Sequence, residues 1–265
     1  MSLLSQQRRQ RILATVLERG QATVKDLARD MAVSEATVRR DLRGLADGGE
    51  VELVYGGATL PRTSDFSFRS KAQRNVESKR IIGKLAAALV AAGETVFLDS
   101  GTTAFAMAPH LKRQRALSVI VNSARLAAEL GTGNGDPELI LLGGRFRADT
   151  MDTIGPLALA TLEQLRGFRL FLGADGLSTE FGVTAADMES AHLYRLAIRN
   201  ARETILLVDH SKFLSPSLVR ICGFESLSRI VTDRAPSPDW LEFLNEQGIG
   251  LLHPGSEPST STKEN

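Results

Sequence analysis

The chain has 265 residues, 43% of them hydrophobic, a formal net charge of +1 and a single cysteine, Cys222. That length suits two domains, and the core it can build needs no covalent staple. One cysteine excludes an internal disulfide, no run approaches the roughly 20 apolar residues of a membrane span, and the first residues lack a signal-peptide pattern, so a cytoplasmic protein with no membrane contact is expected.

Arg8 to Glu18 is predicted helical, with Ile12, Leu13, Val16 and Leu17 on one face and Gly20 as its stop. Thr23 to Met31 is a second helix. Thr23 with Asp26 three residues on forms a capping-box pattern, and Val24, Leu27, Ala28 and Met31 repeat at helical spacing. Only Ala32 and Val33 separate it from Ser34, the expected N-cap of a third helix. In that helix Val38, Leu42 and Leu45 share one side. Ala36, Arg40 and Arg43 lie opposite, flanked by Thr37 and Arg39. Short side chains early and arginines later suit a helix entering the major groove, since arginine reaches phosphates and the acceptor pair of guanine. Taken singly, such a helix could equally be a solvated face.

Gly48 and Gly49 are read as its end. Glu50 to Val54 alternates charged and apolar residues like a half-buried strand, and Gly56-Gly57 supplies a turn before Ala58 to Leu60 returns as a wing. Three helices, a tight turn and a wing make a winged helix-turn-helix, with double-stranded operator DNA as its expected partner. The first 63 residues carry ten Lys/Arg against eight Asp/Glu. Affinity must therefore come from local placement and oligomerisation, and should fall steeply with salt as counterions are released.

Pro61 to Asn75 is polar without periodicity and reads as a linker. Beyond it, apolar runs alternate with helical patterns. The runs are Thr95–Leu98, Leu117–Val121, Leu139–Leu142, Leu170–Leu172, Ile205–Val208, Ile230–Val231 and Ile249–Leu252. The helical patterns are Val76–Ala92, Thr103–Leu111, Ala124–Leu130, Leu157–Leu165, Met188–Asn200 and Trp240–Gln247. Such alternation implies a mostly parallel sheet covered on both faces, with ligands beyond the carboxyl ends of the strands. Pro254 to Asn265 has the composition of a disordered tail.

The loops after the runs are therefore the candidate site. Asp99-Ser100-Gly101-Thr102-Thr103 offers hydroxyls and backbone N–H groups at a helix start, which suits a phosphate. Asn122-Ser123, Gly143-Gly144-Arg145, Gly173-Ala174-Asp175-Gly176 and Asp209-His210-Ser211-Lys212 occupy equivalent places. Together they suggest a small phosphorylated sugar or polyol, although each loop alone could be only a turn. His110, His192, His210 and His253 lack metal-ligand spacing, and no nucleotide-binding or hydrolase motif occurs, so no metal or cofactor is expected.

VSEATVRRDLRGLADGGEVELVYGGA, from the turn into the wing, resembles the signature of the DeoR family of bacterial sugar-catabolism repressors. DSGTT, GADG and DHSKF resemble segments of that family's effector domain, whose fold is similar to ribose-phosphate isomerase. The resemblance implies an α/β protein. Residues 1–60 would be the winged helix-turn-helix domain, 61–75 a linker, 76–253 a mostly parallel, Rossmann-like effector domain of sugar-phosphate isomerase type, and 254–265 a tail. DNA would be met by Ser34, Glu35, Ala36, Thr37, Arg39, Arg40 and Arg43. Ser100, Gly101, Thr102 and Thr103 would hold the phosphate, Asn122, Gly176, Asp99, Asp175 and Lys212 would line the pocket, and Asp187 or Glu189 would reach the sugar.

Two departures from the family pattern stand out. The wing has Glu50, Glu52 and Tyr55 where basic residues and a histidine are usual, which leaves Arg8, Arg9 and Arg11 to supplement the recognition helix. Ser190 and Tyr194 stand where an acid and a lysine are common. The implied function is an operator-binding repressor controlled by a sugar phosphate, acting as a homodimer or higher even oligomer. Rival readings are a sugar-phosphate isomerase with an accessory DNA-binding domain, and an activator of the same architecture.

Overall fold

The computed structural model describes residues 3–47, 51–59, 68–132, 135, 137–214 and 216–256. The Gly48-Gly49 helix stop, Glu50 and Leu60 of the wing, residues 61–67 of the expected linker and the tail from residue 257 lie outside them. The chain divides into two compact units, Met1–Arg74 and Asn75–Asn265.

In the first unit, helix α1 (Leu3–Arg19) is followed by strand β1 (Gln21–Thr23), α2 (Val24–Met31), α3 (Glu35–Asp47), β2 (Glu52–Val54), β3 (Gly57–Thr59) and α4 (Phe68–Gln73). The predicted apolar stripes meet in one core, where Ile12, Val16, Leu27, Val38 and Leu42 are at most 1% exposed. Thr23 caps α2 as expected, its hydroxyl accepting from the Asp26 amide at 3.1 Å. The turn between α2 and α3 is closed by Ala32 in left-handed conformation, φ 53 and ψ 44, with the Val33 N–H bonded to the Ala28 carbonyl at 3.1 Å. This is a glycine-type helix stop made by an alanine, which sequence cues for glycine miss.

Three differences from the sequence reading appear here. Strand β1 was not foreseen, because three residues carry no periodicity; pairing with β3, the centre of a β1-β3-β2 sheet, holds them extended. Glu52, Leu53 and Val54 are all exposed, so the alternation read as a half-buried strand does not produce a buried face; Val51 alone turns inward, at 2% exposure. Helix α4 forms where no helical pattern was read, its Phe68 and Ser70 buried.

In the second unit, α5 (Val76–Ala87) leads to β4 (Thr95–Leu98), the short helices α6 (Thr102–Phe105) and α7 (Ala108–Leu111), β5 (Ser118–Val121), α8 (Ala124–Gly131) and β6 (Glu138–Leu141). Then come the hairpin β7 (Arg145–Arg147) and β8 (Asp152–Ile154), α9 (Pro156–Glu163), β9 (Arg169–Gly173), the hairpin β10 (Gly176–Ser178) and β11 (Gly182–Ala185), and α10 (Met188–Asn200). Strands β12 (Glu203–Leu207), β13 (Val219–Cys222) and β14 (Arg229–Val231), helix α11 (Pro238–Glu246) and β15 (Gly250–Leu252) complete it.

The main sheet is parallel, in the order β15-β14-β12-β9-β4-β5-β6. Its strands are apolar at successive positions because both faces are covered. Phe97, Leu170, Leu172 and Leu206 pack on one face with Leu162 of α9 and Leu193 of α10. Val96, Leu98, Phe171, Ile205 and Leu207 pack on the other with Ile82 of α5, Leu111 of α7 and Leu126 of α8.

The single helix expected over Thr103–Leu111 is broken into α6 and α7. Pro109 lacks an N–H, so a continuous helix would lose its bond to Phe105. The antiparallel ribbons β7–β8 and β10-β11-β13 were also not anticipated, since they lack long apolar runs. Pro254–Ser256, placed in the tail by composition, form a turn in which the Ser256 hydroxyl donates to the His253 carbonyl at 2.7 Å.

Candidate functional site

On α3, Ser34 caps the helix with its hydroxyl accepting from the Thr37 amide at 3.2 Å. Glu35, Ala36, Arg39, Arg40 and Arg43 are exposed and Thr37 half-buried, opposite the buried Val38, Leu42 and Leu45. Arg39 is paired with Glu35 at 2.6 Å, whereas Arg40 and Arg43 make no ion pair with another described residue. Short side chains followed by two available guanidiniums are thus carried on a helix locked by its apolar face.

The arginines of α1 behave differently from the sequence reading. Asp41, on the inner side of α3, is 2% exposed and accepts from Arg8 Nε at 2.6 Å and Arg9 Nε at 3.2 Å. A carboxylate this buried needs such partners, so Arg8 and Arg9 serve first as a clamp between α1 and α3. A side chain on Gly44 would collide with the Arg9 guanidinium, 2.5 Å from the position of a β-carbon. Arg11 is exposed and remains able to face a phosphate.

At the carboxyl edge of the parallel sheet the predicted loops do converge. Asp99 is 2% exposed and accepts from the amides of Gly101 at 3.0 Å and Gly173 at 2.7 Å, bracing two loops together. Ser100 donates its only hydroxyl hydrogen to Asp152 Oδ2 at 3.0 Å, because a carboxylate can only accept. The Tyr194 hydroxyl, 3.1 Å from Ser100 Oγ, must then be the donor in that bond. Burial first, then the Asp99 charge, push the Tyr194 phenol well above its ordinary pKa, keeping it a donor.

The Ser100 hydroxyl and the Gly101 amide, both expected to hold phosphate, are thus committed internally. Thr102 and Thr103 open the first turn of α6, where amides lack intrahelical partners.

Asp152 is the centre of this network and was not identified from the sequence. It is 1% exposed and accepts from Arg147 Nε at 2.8 Å, Arg147 Nη2 at 2.6 Å and Thr150 Oγ1 at 2.6 Å as well as from Ser100. Arg147 also donates to Ser190 Oγ at 2.9 Å and approaches Asp187 Oδ1 at 3.2 Å. Burial works against its charge, yet bonding to Asp152 and Asp187 raises its pKa on balance. Asp187 caps α10 through the amides of Glu189 and Ser190. Burial would raise its pKa, but the Ser190 bonds and Arg147 outweigh that and lower it. Ser190 and Tyr194, the two family departures on α10, are thereby the residues that accept from Arg147 and donate to Ser100, respectively.

The remaining predicted residues spread around the same edge. The buried Asn122 donates to the Thr153 carbonyl at 3.2 Å, and Asp175 accepts from the Ala186 amide at 2.8 Å. Gly176 is buried at the start of β10. Glu189 is exposed and paired with Arg145 at 2.5 Å. Lys212 is half-buried in the 3-10 turn His210–Phe213, and its side chain makes no ion pair with another described residue. Signals for Arg147 and Asp152 existed only as a largely polar stretch between the Gly143-Gly144 pair and Gly155, which reads as loop until the β7–β8 hairpin sets the two residues opposite each other.

Residues 8–64 match the model of the DeoR-like helix-turn-helix domain and residues 74–234 that of the DeoR C terminal sensor domain. The chain belongs to the DeoR family of transcriptional regulators. It is 33% identical to the HTH-type transcriptional regulator GlpR of Haloferax volcanii over 94% of this chain and 98% of that one. The HTH-type transcriptional repressor GlcR of Bacillus subtilis is 32% identical over 91% and 93% of the two chains. The glycerol-3-phosphate regulon repressor of Escherichia coli is 30% identical over 92% and 97%. This DeoR-family chain is a DNA-binding transcriptional repressor rather than an enzyme. Among solved structures, ribose 5-phosphate isomerase A of Methanocaldococcus jannaschii aligns over 52% of the chain and 54% of its own, at 20% identity and a TM-score of 0.38. Among the described residues, no helix is long and apolar enough to cross a membrane.

Proposed function

We propose that α3 reads the operator of a carbohydrate-catabolism operon through Ser34, Glu35, Ala36, Thr37, Arg39, Arg40 and Arg43, as one half of a homodimer or higher even oligomer. A phosphorylated sugar or polyol, bound at the carboxyl edge of the parallel sheet, shifts the protein between operator-binding and non-binding arrangements. What supports the reading most is the placement of Thr102 and Thr103 after β4 and of Lys212 after β12, beyond the carboxyl ends of two strands of one parallel sheet, in a chain whose other end is a helix-turn-helix. The name of one relative, the glycerol-3-phosphate regulon repressor, supports the effector class. Asp99, Ser100, Gly101 and Asn122 support the pocket as its frame, while Asp175, Gly176, Asp187 and Glu189 border the sugar.

Two substitutions test this in the full chain. Arg40→Ala weakens binding to a duplex selected from a random library, by about 1–3 kcal/mol if Arg40 reads a base, and leaves sugar-phosphate binding intact. Thr102→Trp abolishes the effector response while duplex binding persists. A Thr102→Trp protein that still releases its duplex on addition of the metabolite would place the anion elsewhere.

A further inference from the structure

Asn75 is the first residue of the second unit and directly follows Arg74, the last of the DNA-binding unit. It occupies the N-cap position of α5 in left-handed conformation, φ 48 and ψ 44, which asparagine tolerates better than most residues. An asparagine there ordinarily turns its side-chain oxygen to the amides of its own helix. This one makes no such cap. Its Nδ2 donates instead to Asp209 Oδ1 at 2.9 Å and to Ser211 Oγ at 3.2 Å, across more than 130 residues of sequence.

One turn along, the Ser78 hydroxyl donates to Asp233 Oδ2 at 3.0 Å. The same Asp233 carboxylate accepts from the backbone N of His210 at 2.8 Å and from His210 Nδ1 at 2.9 Å. The start of α5 therefore holds the loop after β12 directly through Asn75 and indirectly through Ser78 and Asp233.

The donors and acceptors in this arrangement are matched. Ser211 directs its single hydroxyl hydrogen to Asp209 Oδ1 at 2.5 Å, leaving a lone pair for Asn75. The Asn75 amide has two hydrogens, one for each acceptor. Lys212 lies in the same turn, its backbone N–H bonded to the Asp209 carbonyl at 3.0 Å.

We propose that Asn75 and Ser78 are the positioning residues that carry the effector response out of the sheet edge. An anion drawing on Lys212 displaces the His210–Phe213 turn, and the bonds to Asn75 and Ser78 pass that displacement to the point where the chain arrives from the DNA-binding unit. The inference rests on the effector reading of this loop given above.

The test uses the full chain, a duplex selected from a random library with the wild-type protein, and three probes: glycerol 3-phosphate, glucose 6-phosphate and fructose 1-phosphate. Duplex affinity with and without each probe is read by fluorescence anisotropy, and probe binding by thermal shift. In the wild type one probe changes duplex affinity within the 5- to 150-fold range usual for coupled sites. Asn75→Gly keeps the left-handed backbone and removes both bonds; Asn75→Asp sets a carboxylate against Asp209; Ser78→Ala removes the bond from α5 to Asp233.

Each variant is expected to bind the duplex and the probe within about threefold of wild type, while the ratio linking them falls toward one, most in Asn75→Asp. A full wild-type ratio in Asn75→Gly and Ser78→Ala overturns the inference alone. So does loss of probe binding in Asn75→Gly, which would make the residue part of the pocket or of folding. If none of the probes binds or changes the wild type, the effector reading falls and takes the inference with it.

Discussion

Removing the two sides of the clamp between α1 and α3 is expected to have unequal effects. Asp41→Asn takes away the charge that Arg8 and Arg9 share, but their side chains, each 23% exposed, can turn to water. Two charge-assisted bonds would contribute about 1.5–3 kcal/mol each if fully buried, and discounting for exposure leaves a cost of about 2 kcal/mol. Arg8→Ala with Arg9→Ala instead strands a carboxylate that is 3% exposed, and uncompensated buried charge costs about 3–5 kcal/mol. The assay is amide hydrogen exchange of peptides from α3 in the full chain, because the only tryptophan, Trp240, lies in the other unit. Each 1.4 kcal/mol corresponds to about a tenfold change in the opening equilibrium, so α3 should exchange about 30-fold faster in Asp41→Asn and about two to three and a half orders of magnitude faster in the double variant. Peptides from β4 and β9 serve as an unchanged internal reference. Equal effects, or a milder effect from the double variant, would refute the clamp as the device that holds α3 in place.

Further outcomes follow from the same reasoning. Arg147→Met leaves Asp152 with only its hydroxyl donors; it should destabilise the second unit by about 3–5 kcal/mol, measured by urea unfolding followed through Trp240 fluorescence. Gly57→Ala should open the wing, since a β-carbon there would lie 2.3 Å from the Ala22 carbonyl oxygen; exchange of the β3 amides reports it. Acid should weaken the second unit through Asp187 and Asp233. Burial would raise the Asp233 pKa, but the His210 amide, its ring and the Ser78 hydroxyl outweigh this and lower it, as the Ser190 bonds and Arg147 do for Asp187. A carboxylate whose folded pKa lies below its unfolded value of about 3.9 contributes its stability above that value and loses it as pH falls through the folded one. The thermal midpoint should therefore drop steeply below about pH 4, less so in Asp187→Asn.

Periodic apolar residues made the helices α2, α3 and α10 and all seven strands of the main sheet legible, because each must bury a stripe or both faces. Elements fixed by partners rather than by pattern were not. Strand β1 is extended because β3 lies beside it, and β7–β8 stands as a hairpin whose ends carry Arg147 and Asp152. The candidate site divides in the same way. Loops following apolar runs could be named as residues of one edge, but the sequence could not tell which donors face outward. Asp99 and Ser100 read in the sequence as ligand groups alone, with nothing to show that they also brace neighbouring loops, while Tyr194, which looked like a departure from the family, closes the chain of hydrogen bonds that fixes Ser100. Arg8 and Arg9 looked like phosphate-binding charge for lack of any sign that Asp41 would be turned inward beneath them.

The ion pairs of the first unit leave it sparsely armed. Arg8, Arg9, Arg19, Arg29 and Arg39 each have a carboxylate within reach, so among its described residues Arg11, Lys25, Arg40, Arg43 and Arg69 are the cations that remain uncommitted, and Glu52 on the open wing strand adds repulsion. Few displaced counterions mean a weak hold on arbitrary sequence and a shallower dependence on ionic strength than the steep one expected from the sequence. A regulator of this kind spends little of its copy number parked along the rest of the chromosome. Occupancy of its target can then respond to small changes in metabolite without a large surplus of protein.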